Sequence, residues 1–303
     1  MKRIIKKLIR RPSTVFIFIW TRVFCWLPDK TYLTILYRLC MGRSIDWNNP
    51  QTYTEKIQWL KINDRKPFYS KLVDKYEVKR IVSEIIGDAH IIPTFGVYDN
   101  AEDIDFEQLP NQFVLKCTHD SGGIIVCKNK SLLNKKEVIK KLNNSLKRNY
   151  FHRYKEWPYK DVTPRIIAEQ YINNDEDNDD LKDYKFFCFN GSPKVLFIAS
   201  DRNKIGEETK FDFFDTDFKF LPFTNGHPNS KQVIEKPKNF DKMLEISAKL
   251  SVNFPHIRVD LYNLNGQIYF GELTFYHWSG IVPFNPEIWD YKLGEMLDLN
   301  IES

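Results

Sequence analysis

Residues 257–275 read IRVDLYNLNGQIYFGELTF, two largely apolar runs on either side of Asn265-Gly266. Asn-Gly between two such runs is a strong signal for a β-hairpin. Asp260 and Glu272 are carboxylates within these strands, where an unpaired charge is unfavourable. The hairpin therefore combines a clear structural signal with buried charge that requires a chemical partner.

The length of the turn decides whether the two carboxylates can cooperate. A two-residue turn places Asp260 opposite Gly271 and directs Glu272 to the other side of the hairpin. A three-residue turn places Arg258 opposite Glu272, and one face then holds Arg258, Asp260, Glu272 and Thr274. Two carboxylates on one face could hold Mg²⁺, a hard cation that also takes phosphate oxygens. The alternative is an Arg258–Glu272 ion pair with Asp260 in solvent.

A second stretch joins a lysine to a glycine-rich loop, and residues 113–128 read FVLKCTHDSGGIIVCK. Lys116 is a cation in an apolar strand, and the loop after it contains Ser121, Gly122 and Gly123. Glycines let backbone N–H groups approach a phosphate closely, and a lysine supplies charge. The loop is not a Walker A motif, because no Gly-Lys-Ser/Thr opens a helix here. Taken alone, this stretch is explained more simply as a hairpin turn with an edge lysine.

A third stretch, residues 184–202, reads YKFFCFNGSPKVLFIASDR. Lys185 and Arg202 are cations that flank its apolar strands, so they are candidates to bind a phosphate or a developing negative charge. The alternative is that both lie at solvated strand ends. Asp215-Thr216-Asp217 matches the acid-x-acid metal motif of glycosyltransferases, but such triplets are common in turns.

The remaining pattern predicts an α+β fold. Apolar residues recur at helical spacing in three segments, residues 52–86, 134–149 and 240–252. Strands are predicted at residues 91–98 and 165–172, and hairpins at 111–129, 184–200 and 258–275. Because the strands come mostly as hairpins, we expect antiparallel sheets.

Composition limits the class of protein and its partners. The chain has 303 residues, 42% of them hydrophobic, so it can bury a core without disulfides or metals. Its formal charge is +5, too weak to indicate a nucleic-acid partner, and we expect none. Residues 1–50 contain ten basic and two acidic residues, so this part carries +8 and the remainder −3.

The basic N-terminal arm begins MKRIIKKLIRR and continues at residues 15–27 with VFIFIWTRVFCWL, which Arg22 interrupts. This apolar run is too short to span a bilayer. It resembles the core of a secretory signal peptide, but the arm lacks a small-residue cleavage site. It predicts either a membrane-interfacial segment over residues 1–27, whose cations meet anionic headgroups, or a helix that packs on its own domain.

The cysteines favour a reducing compartment. Their number, five, is odd, and no pair has metal-ligand or redox spacing, so we interpret them as small buried hydrophobic residues. We therefore expect a cytoplasmic protein, peripheral at the inner face of the plasma membrane if the arm is interfacial.

The order of these segments resembles that of the ATP-grasp superfamily. Their amino-acid sequences are closest to the teichuronopeptide-biosynthesis-type (TupA-like) branch of that superfamily. The motifs of that branch are NPxTxxEKxQWLK, VDKY, LPNQFVLKCxHxSGG, RIIAEQY, DYKFFCFNG and RVDxYxxxGxIYFGELTF. They match residues 49–61, 73–76, 109–123, 165–171, 183–191 and 258–275. The resemblance runs from about residue 40 to the C-terminus.

The resemblance implies two α/β subdomains with antiparallel sheets that clamp a nucleotide, preceded by a helical N-terminal region. It divides the chain into an arm over residues 1–40, a helical and α/β region over 41–110, and a nucleotide-binding and catalytic region over 111–303. It implies ATP and Mg²⁺ as cofactors.

The resemblance also implies roles for single residues. Lys75 and Lys116 would be the nucleotide-binding lysines, with Lys116 at the α-phosphate, and the lid would consist of Ser121, Gly122 and Gly123. The adenine hinge would be Glu169, Gln170, Tyr171 and Ile172, with the backbone of Gln170 and Ile172 at the adenine edge. Asp183 is assigned to the same nucleotide site.

The catalytic centre would lie on the last hairpin. Asp260 and Glu272 would bridge Mg²⁺ to the phosphates, and Arg258 would steady the transferred phosphoryl group, with Lys185 and Arg202 as further catalytic cations. Many ATP-grasp enzymes continue Glu-x-Asn, whereas this chain has Glu272-Leu273-Thr274, which leaves one metal or two open. Acceptor recognition is expected in residues 275–280.

The leading hypothesis is an ATP-dependent carboxylate–amine ligase that acts through an acyl-phosphate. It would modify a cell-surface polysaccharide or its precursor by attaching an amino acid as an amide. Its partners would be an amino acid or other amine and a carboxylate-bearing glycan. The alternatives are a kinase on the same fold, a glycosyltransferase of polysaccharide biosynthesis and a non-catalytic membrane-bound scaffold.

Overall fold

The computed structural model of the protein describes residues 12–120, 122–172, 181–201 and 206–299. Its helices are α1 (Pro12–Val23), α2 (Asp29–Met41), α3 (Tyr53–Asn63), α4 (Tyr69–Val73), α5 (Glu77–Ile86), α6 (Lys135–Leu146), α7 (Phe151–Tyr154), α8 (Phe240–Ser251) and α9 (Ile288–Met296). Within this part of the chain, no helix is long and apolar enough to cross a membrane.

The helical run predicted over residues 52–86 is divided into three helices. Thr52 and Glu55 form a capping box that begins α3. Pro67 lies in the connection to α4 and lacks the N–H that a continuous helix requires. The Asp74 carboxylate accepts the backbone N–H groups of Tyr76 and Glu77, which starts α5 afresh. Lys75 therefore lies in a turn rather than on a helix.

Antiparallel strands form the rest of the fold, as predicted. The first four are β1 (Thr94–Tyr98), β2 (Phe113–Cys117), β3 (Ile124–Cys127) and β4 (Ile166–Gln170), and they form a sheet in the order β1-β4-β2-β3. A six-stranded sheet has the order β11-β10-β5-β6-β7-β8. Its strands are β5 (Asp183–Phe189), β6 (Ser192–Ser200), β7 (Lys210–Asp215), β8 (Phe220–Leu221), β10 (His256–Leu264) and β11 (Gln267–Thr274). A small sheet pairs β9 (Thr224–Asn225) with β12 (Phe284–Asn285). The expected α+β class with antiparallel sheets is confirmed.

The last hairpin combines the two predicted registers. Its turn has two residues, because Leu264 pairs with Gln267. The register then shifts between Asp260 and Leu261, so Asp260 lies opposite Glu272 and not opposite Gly271. A β-bulge of this kind changes which side chains share a face. Arg258 pairs with Thr274, and the four polar residues reach one face without the three-residue turn.

Two apolar cores support the two larger sheets. The six-stranded sheet contributes Phe187, Phe197 and Phe213 to a core that also receives side chains from α3, α4, α5, α8 and α9. The four-stranded sheet packs on α6 through Val138 and Leu142. The five cysteines are free thiols. Cys117, Cys127 and Cys188 are buried as predicted, whereas Cys25 and Cys40 are only half-buried.

Helix α9 crosses the start of α3 at Gly294, and the two backbones touch there. A Cβ atom on Gly294 would lie 2.8 Å from the Tyr53 nitrogen and closer still to the Gln51 carbonyl oxygen. We expect Gly294→Ala to lower the free energy of unfolding by about 2–3 kcal/mol, because neither backbone can yield without moving its helix. Urea denaturation measures this change.

Gly122→Ala is the matched control. Nothing lies closer to its added Cβ than the Arg148 Nη1 at 3.9 Å. Its effect should stay within about 0.5 kcal/mol. Equal unfolding free energies for the two variants would contradict the close packing of α9 on α3.

Candidate active site

The face of the last hairpin carries a buried cluster of charges centred on Asp260. Asp260 is 1% exposed, lies opposite Glu272 on β11 and has Lys185 of β5 on its other side. Arg258 donates from Nε to Asp260 Oδ1 at 2.7 Å and from Nη2 to Oδ2 at 2.8 Å. Lys185 also donates to Asp260 Oδ2. The alternative in which Asp260 lies in solvent is therefore wrong.

The two carboxylates of this cluster have different electrostatic surroundings. Burial raises the pKa of Asp260 above its usual range, although Arg258 and Lys185 act against this. Burial acts in the same direction on Glu272, but the charges of Lys185, Lys75 and Arg258 lower its pKa to about 2. Glu272 is thus held as an anion, and it is the more exposed of the two carboxylates.

Lys185 is oriented by a second acid. Its ammonium lies 2.7 Å from Asp183 Oδ2, and Asp183 is 2% exposed. Asp183, assigned by resemblance to the nucleotide site, thus contacts the candidate catalytic lysine directly. Arg202, the other predicted cation of this region, lies outside the described residues.

His277 is a site residue that the sequence analysis did not single out. Arg258 Nη1 donates to His277 Nδ1 at 2.7 Å, and His277 Nε2 lies 2.9 Å from Asn225 Oδ1. The Asn225 amide nitrogen donates to the carbonyls of Val282 and Pro283, which assigns its oxygen to the imidazole. Burial, with Arg258 nearby, lowers the pKa of His277 well below its usual value. His277 is therefore a neutral acceptor that fixes the guanidinium.

The turn that carries His277 has a constrained backbone. Trp278 and Ser279 have φ values of 48° and 53°, which non-glycine residues adopt only under constraint. Gln58 donates to the carbonyls of Ser279 and Gly280, and Lys61 donates to the same Ser279 carbonyl at 2.8 Å. Both donors belong to the motif at residues 49–61, for which no role was predicted. Helix α3 thus holds the turn behind Arg258.

Glu169 forms ion pairs with Lys116, a predicted site residue, and with Lys79, which was not predicted. Its carboxylate is 2.5 Å from Lys116 Nζ and 2.6 Å from Lys79 Nζ. Burial would raise the pKa of Glu169, but the two ammonium groups lower it. Lys79 is further held by the Ile92 carbonyl and the Thr94 hydroxyl. Its position four residues after Lys75 in the sequence was the available signal.

Lys75 and the glycine loop meet at Asp120. Lys75 Nζ donates to the Asp120 carbonyl at 2.5 Å. The Asp120 carboxylate accepts the N–H groups of Gly122 and Gly123 at 3.2 and 2.9 Å. The structure therefore brings Lys75 and both glycines together around Asp120. Ser121, the third lid residue, lies outside the described residues.

The predicted hinge lines a cavity between the two larger sheets. Its volume is about 320 Å³, and its lining residues are Pro93, Gln112, Gln170, Tyr171, Ile172, Leu264 and Tyr269. Leu264 and Tyr269 belong to the last hairpin, so both sheets contribute. The Gln170 N–H donates to the Pro93 carbonyl at 3.0 Å, so this backbone donor already has an acceptor within the protein. The volume suits a small-molecule site.

Asp260 and Glu272 are the candidate ligands for a magnesium ion. Among the described residues, no group of three or more His, Cys, Asp or Glu could hold a metal. Mg²⁺ is commonly bound by one or two carboxylates together with substrate phosphates and water. Asp260 and Glu272 supply hard oxygen ligands on one face, so they fit Mg²⁺ that also binds a phosphorylated ligand.

A family model described as TupA-like ATP-grasp matches residues 55–298 of this sequence. The chain belongs to the TupA-like ATP-grasp family. The expected family and the ATP-grasp fold are thereby confirmed. The match includes every predicted site residue from Lys75 to Glu272 and leaves out the N-terminal arm.

Solved structures with some similarity to this TupA-like chain include two D-alanine–D-alanine ligases. The enzyme from Bacillus anthracis, complexed with ATP, is 16% identical, with 69% of this chain and 56% of that chain covered and a TM-score of 0.39. The enzyme from Helicobacter pylori is 17% identical, with 75% and 61% covered and a TM-score of 0.40.

The ATP-grasp ligase PsnB, complexed with minimal precursor, Mg and ADP, is 8% identical, with 73% of this chain and 57% of that chain covered and a TM-score of 0.37. The TupA-like chain thus spans less than two thirds of the length of these proteins. No curated protein matches it.

The contact from His277 to Arg258 can be tested with two substitutions. His277→Phe fills the same aromatic surroundings, which Phe187 and Phe197 form, but removes the acceptor. We expect it to lower the turnover of Mg·ATP at least about 10-fold, the effect of losing one hydrogen bond to a charged group. Steady-state ADP release at saturating ATP measures this loss.

His277→Asn is the control, because its side-chain oxygen can replace Nδ1 as the acceptor. Its turnover should stay within about threefold of the original chain. Melting temperatures show whether both variants fold. Two folded variants with the same turnover would contradict a role for His277 in holding Arg258.

Proposed function

We propose that this TupA-like chain is an ATP-dependent carboxylate–amine ligase. It modifies a cell-surface polysaccharide or its precursor by attaching an amino acid as an amide. One observation carries the proposal: the cavity at the predicted hinge is also lined by Leu264 and Tyr269 of the last hairpin. The same hairpin carries Asp260 and Glu272, so the hinge and the candidate metal ligands border the same region between the sheets.

We place the nucleotide in this space with its adenine at the predicted hinge. The cavity beside Gln170, Tyr171 and Ile172 receives the adenine, since its walls come from both sheets. Lys116 and Lys75 then lie on the phosphate side, with the glycine loop above them. Asp260 and Glu272 would hold Mg²⁺, which would neutralise charge on the phosphates.

The reaction takes place in two steps, phosphoryl transfer and then amide formation. A carboxylate oxygen of the substrate attacks the γ-phosphorus, the bond to the β–γ bridging oxygen breaks, and ADP leaves. An amine nitrogen then attacks the acyl carbon, phosphate leaves with the electrons of the C–O bond, and the amine loses a proton. Arg258, held by Asp260 and His277, stabilises negative charge on the transferred group.

The resemblance to the teichuronopeptide-biosynthesis branch supports a carboxylate-bearing glycan as substrate. Trp278 follows His277 and is 42% exposed, with its ring against Phe211 and His227. An exposed aromatic face beside polar groups is typical of small-molecule sites. We therefore place the acceptor on the Trp278 side of Arg258.

The glycosyltransferase alternative has less support. The Asp215 carboxylate accepts the N–H groups of Asp217 and Lys219, and Asp217 pairs with Lys219 on the surface. The Asp215-Thr216-Asp217 triplet thus forms a turn. Asp217→Ala should leave ATP turnover unchanged.

The proposal is tested by incubating the full chain with ATP, Mg²⁺ and a panel of amino acids and uronic-acid glycans. We expect ADP, phosphate and an amide product that mass spectrometry detects. Lys116→Ala and Glu272→Ala should each lower turnover at least about 100-fold, because each removes charge stabilisation in a desolvated site.

Lys219→Ala is the control, since this lysine is exposed and pairs with the surface residue Asp217. Phosphorylated glycan without released phosphate would instead identify a kinase. If neither Lys116→Ala nor Glu272→Ala changes ATP binding or turnover, the site assignment is wrong.

A further inference from the structure

Helix α1 presents apolar side chains on two faces, and the fold covers one of them. Ile17 and Trp20 pack on the small core around α2, where the ring of Trp20 lies 5.7 Å from that of Tyr32. Phe16 and Ile19 lie on the other face and are 64% and 44% exposed. A surface helix normally presents polar residues away from the core, so this second apolar face is unusual.

The exposed apolar surface continues past the end of α1. It comprises Phe16, Phe18, Ile19, Val23 and Trp26, which we name the α1 patch. Trp26, in the turn after the helix, is 73% exposed. Single exposed apolar residues are ordinary, but five large ones within one short segment mark an interaction surface.

One cation contacts the α1 patch, and the sequence contains others before and after it. The Arg22 guanidinium lies 3.6 Å from the ring centroid of Phe18. Lys30 and Arg38 are exposed on α2. Residues 1–11, outside the described residues, contain six lysines and arginines and no acid. A partner of this surface must therefore provide an apolar region that the side chains can enter and a high density of negative charge.

We propose that the α1 patch docks the protein on the surface of an anionic lipid bilayer, with its apolar side chains in the interface and the flanking cations at the headgroups. Aromatic and aliphatic residues combined with lysine and arginine are the composition of interfacial helices. The cations gain from the negative potential of such a surface. The apolar side chains lose their contact with water.

Contacts behind the α1 patch join it firmly to the rest of the fold. Lys155 donates to the Cys25 carbonyl at 2.6 Å and pairs with Asp29 at 3.2 Å. The Tyr32 hydroxyl donates to the Arg153 carbonyl at 2.7 Å. Membrane contact through the patch would therefore orient the whole chain on the bilayer. This inference holds whichever reaction the site catalyses.

Co-sedimentation of the full chain with lipid vesicles tests the proposal. One set of vesicles is phosphatidylcholine alone, and the other also contains phosphatidylglycerol. We expect the chain to bind the anionic vesicles and to be released by high salt, which screens the headgroup attraction. The Phe16→Ser/Trp26→Ser double variant should bind them at least about 10-fold more weakly, because it removes two exposed aromatic side chains that would enter the bilayer interface.

The matched control is Leu132→Ser/Val233→Ser. These two residues are 82% and 94% exposed and lie outside the α1 patch, so the control removes similar exposed apolar groups. It should bind the vesicles like the original chain, and both double variants should keep their melting temperature.

Three results would overturn the proposal. The original chain could fail to bind anionic vesicles. The control could lose as much binding as the patch variant. The patch variant could turn a dimer into a monomer, measured by light scattering, without weakening vesicle binding, which would make the patch an interface between two copies.

Discussion

The bidentate ion pair between Arg258 and Asp260 is the contact on which the rest of the site depends. Both residues are almost completely buried, and a buried charge is stable only when its partners are placed well. Lys185, Glu272 and His277 supply those partners from two neighbouring strands and the following turn. The surrounding elements of the fold hold these groups at hydrogen-bonding distance.

Two features of the backbone meet this requirement. The β-bulge in the last hairpin brings Glu272 opposite Asp260, where a regular ladder would have placed Gly271. The constrained turn at Trp278 and Ser279 directs His277 inward, and Gln58 and Lys61 hold it from behind. Neither feature is favoured by local sequence alone, so tertiary contacts must stabilise both.

The sequence predicted the individual helices and strands better than the strand register and the contacts between elements. Asn265-Gly266 located the turn of the last hairpin, because turn chemistry is local. The register at Asp260 could not be predicted, since a bulge depends on the packing of both strands. Lys116 was a candidate because it is a cation in an apolar strand, and the resemblance added Lys75 and Glu169. The contacts of these residues depend on distances between elements. Lys79, Asp120 and His277 were missed because they contact other protein groups rather than matching a motif by themselves.

We propose that the two sheets enclose a nucleotide between the hinge and the charged hairpin. A crystal structure of the chain with Mg²⁺ and a non-hydrolysable ATP analogue measures this most directly. We expect the adenine beside residues 170–172, the phosphates at Lys75 and Lys116, and the metal on Asp260 and Glu272. A nucleotide bound elsewhere, or a metal without contact to either carboxylate, would contradict it.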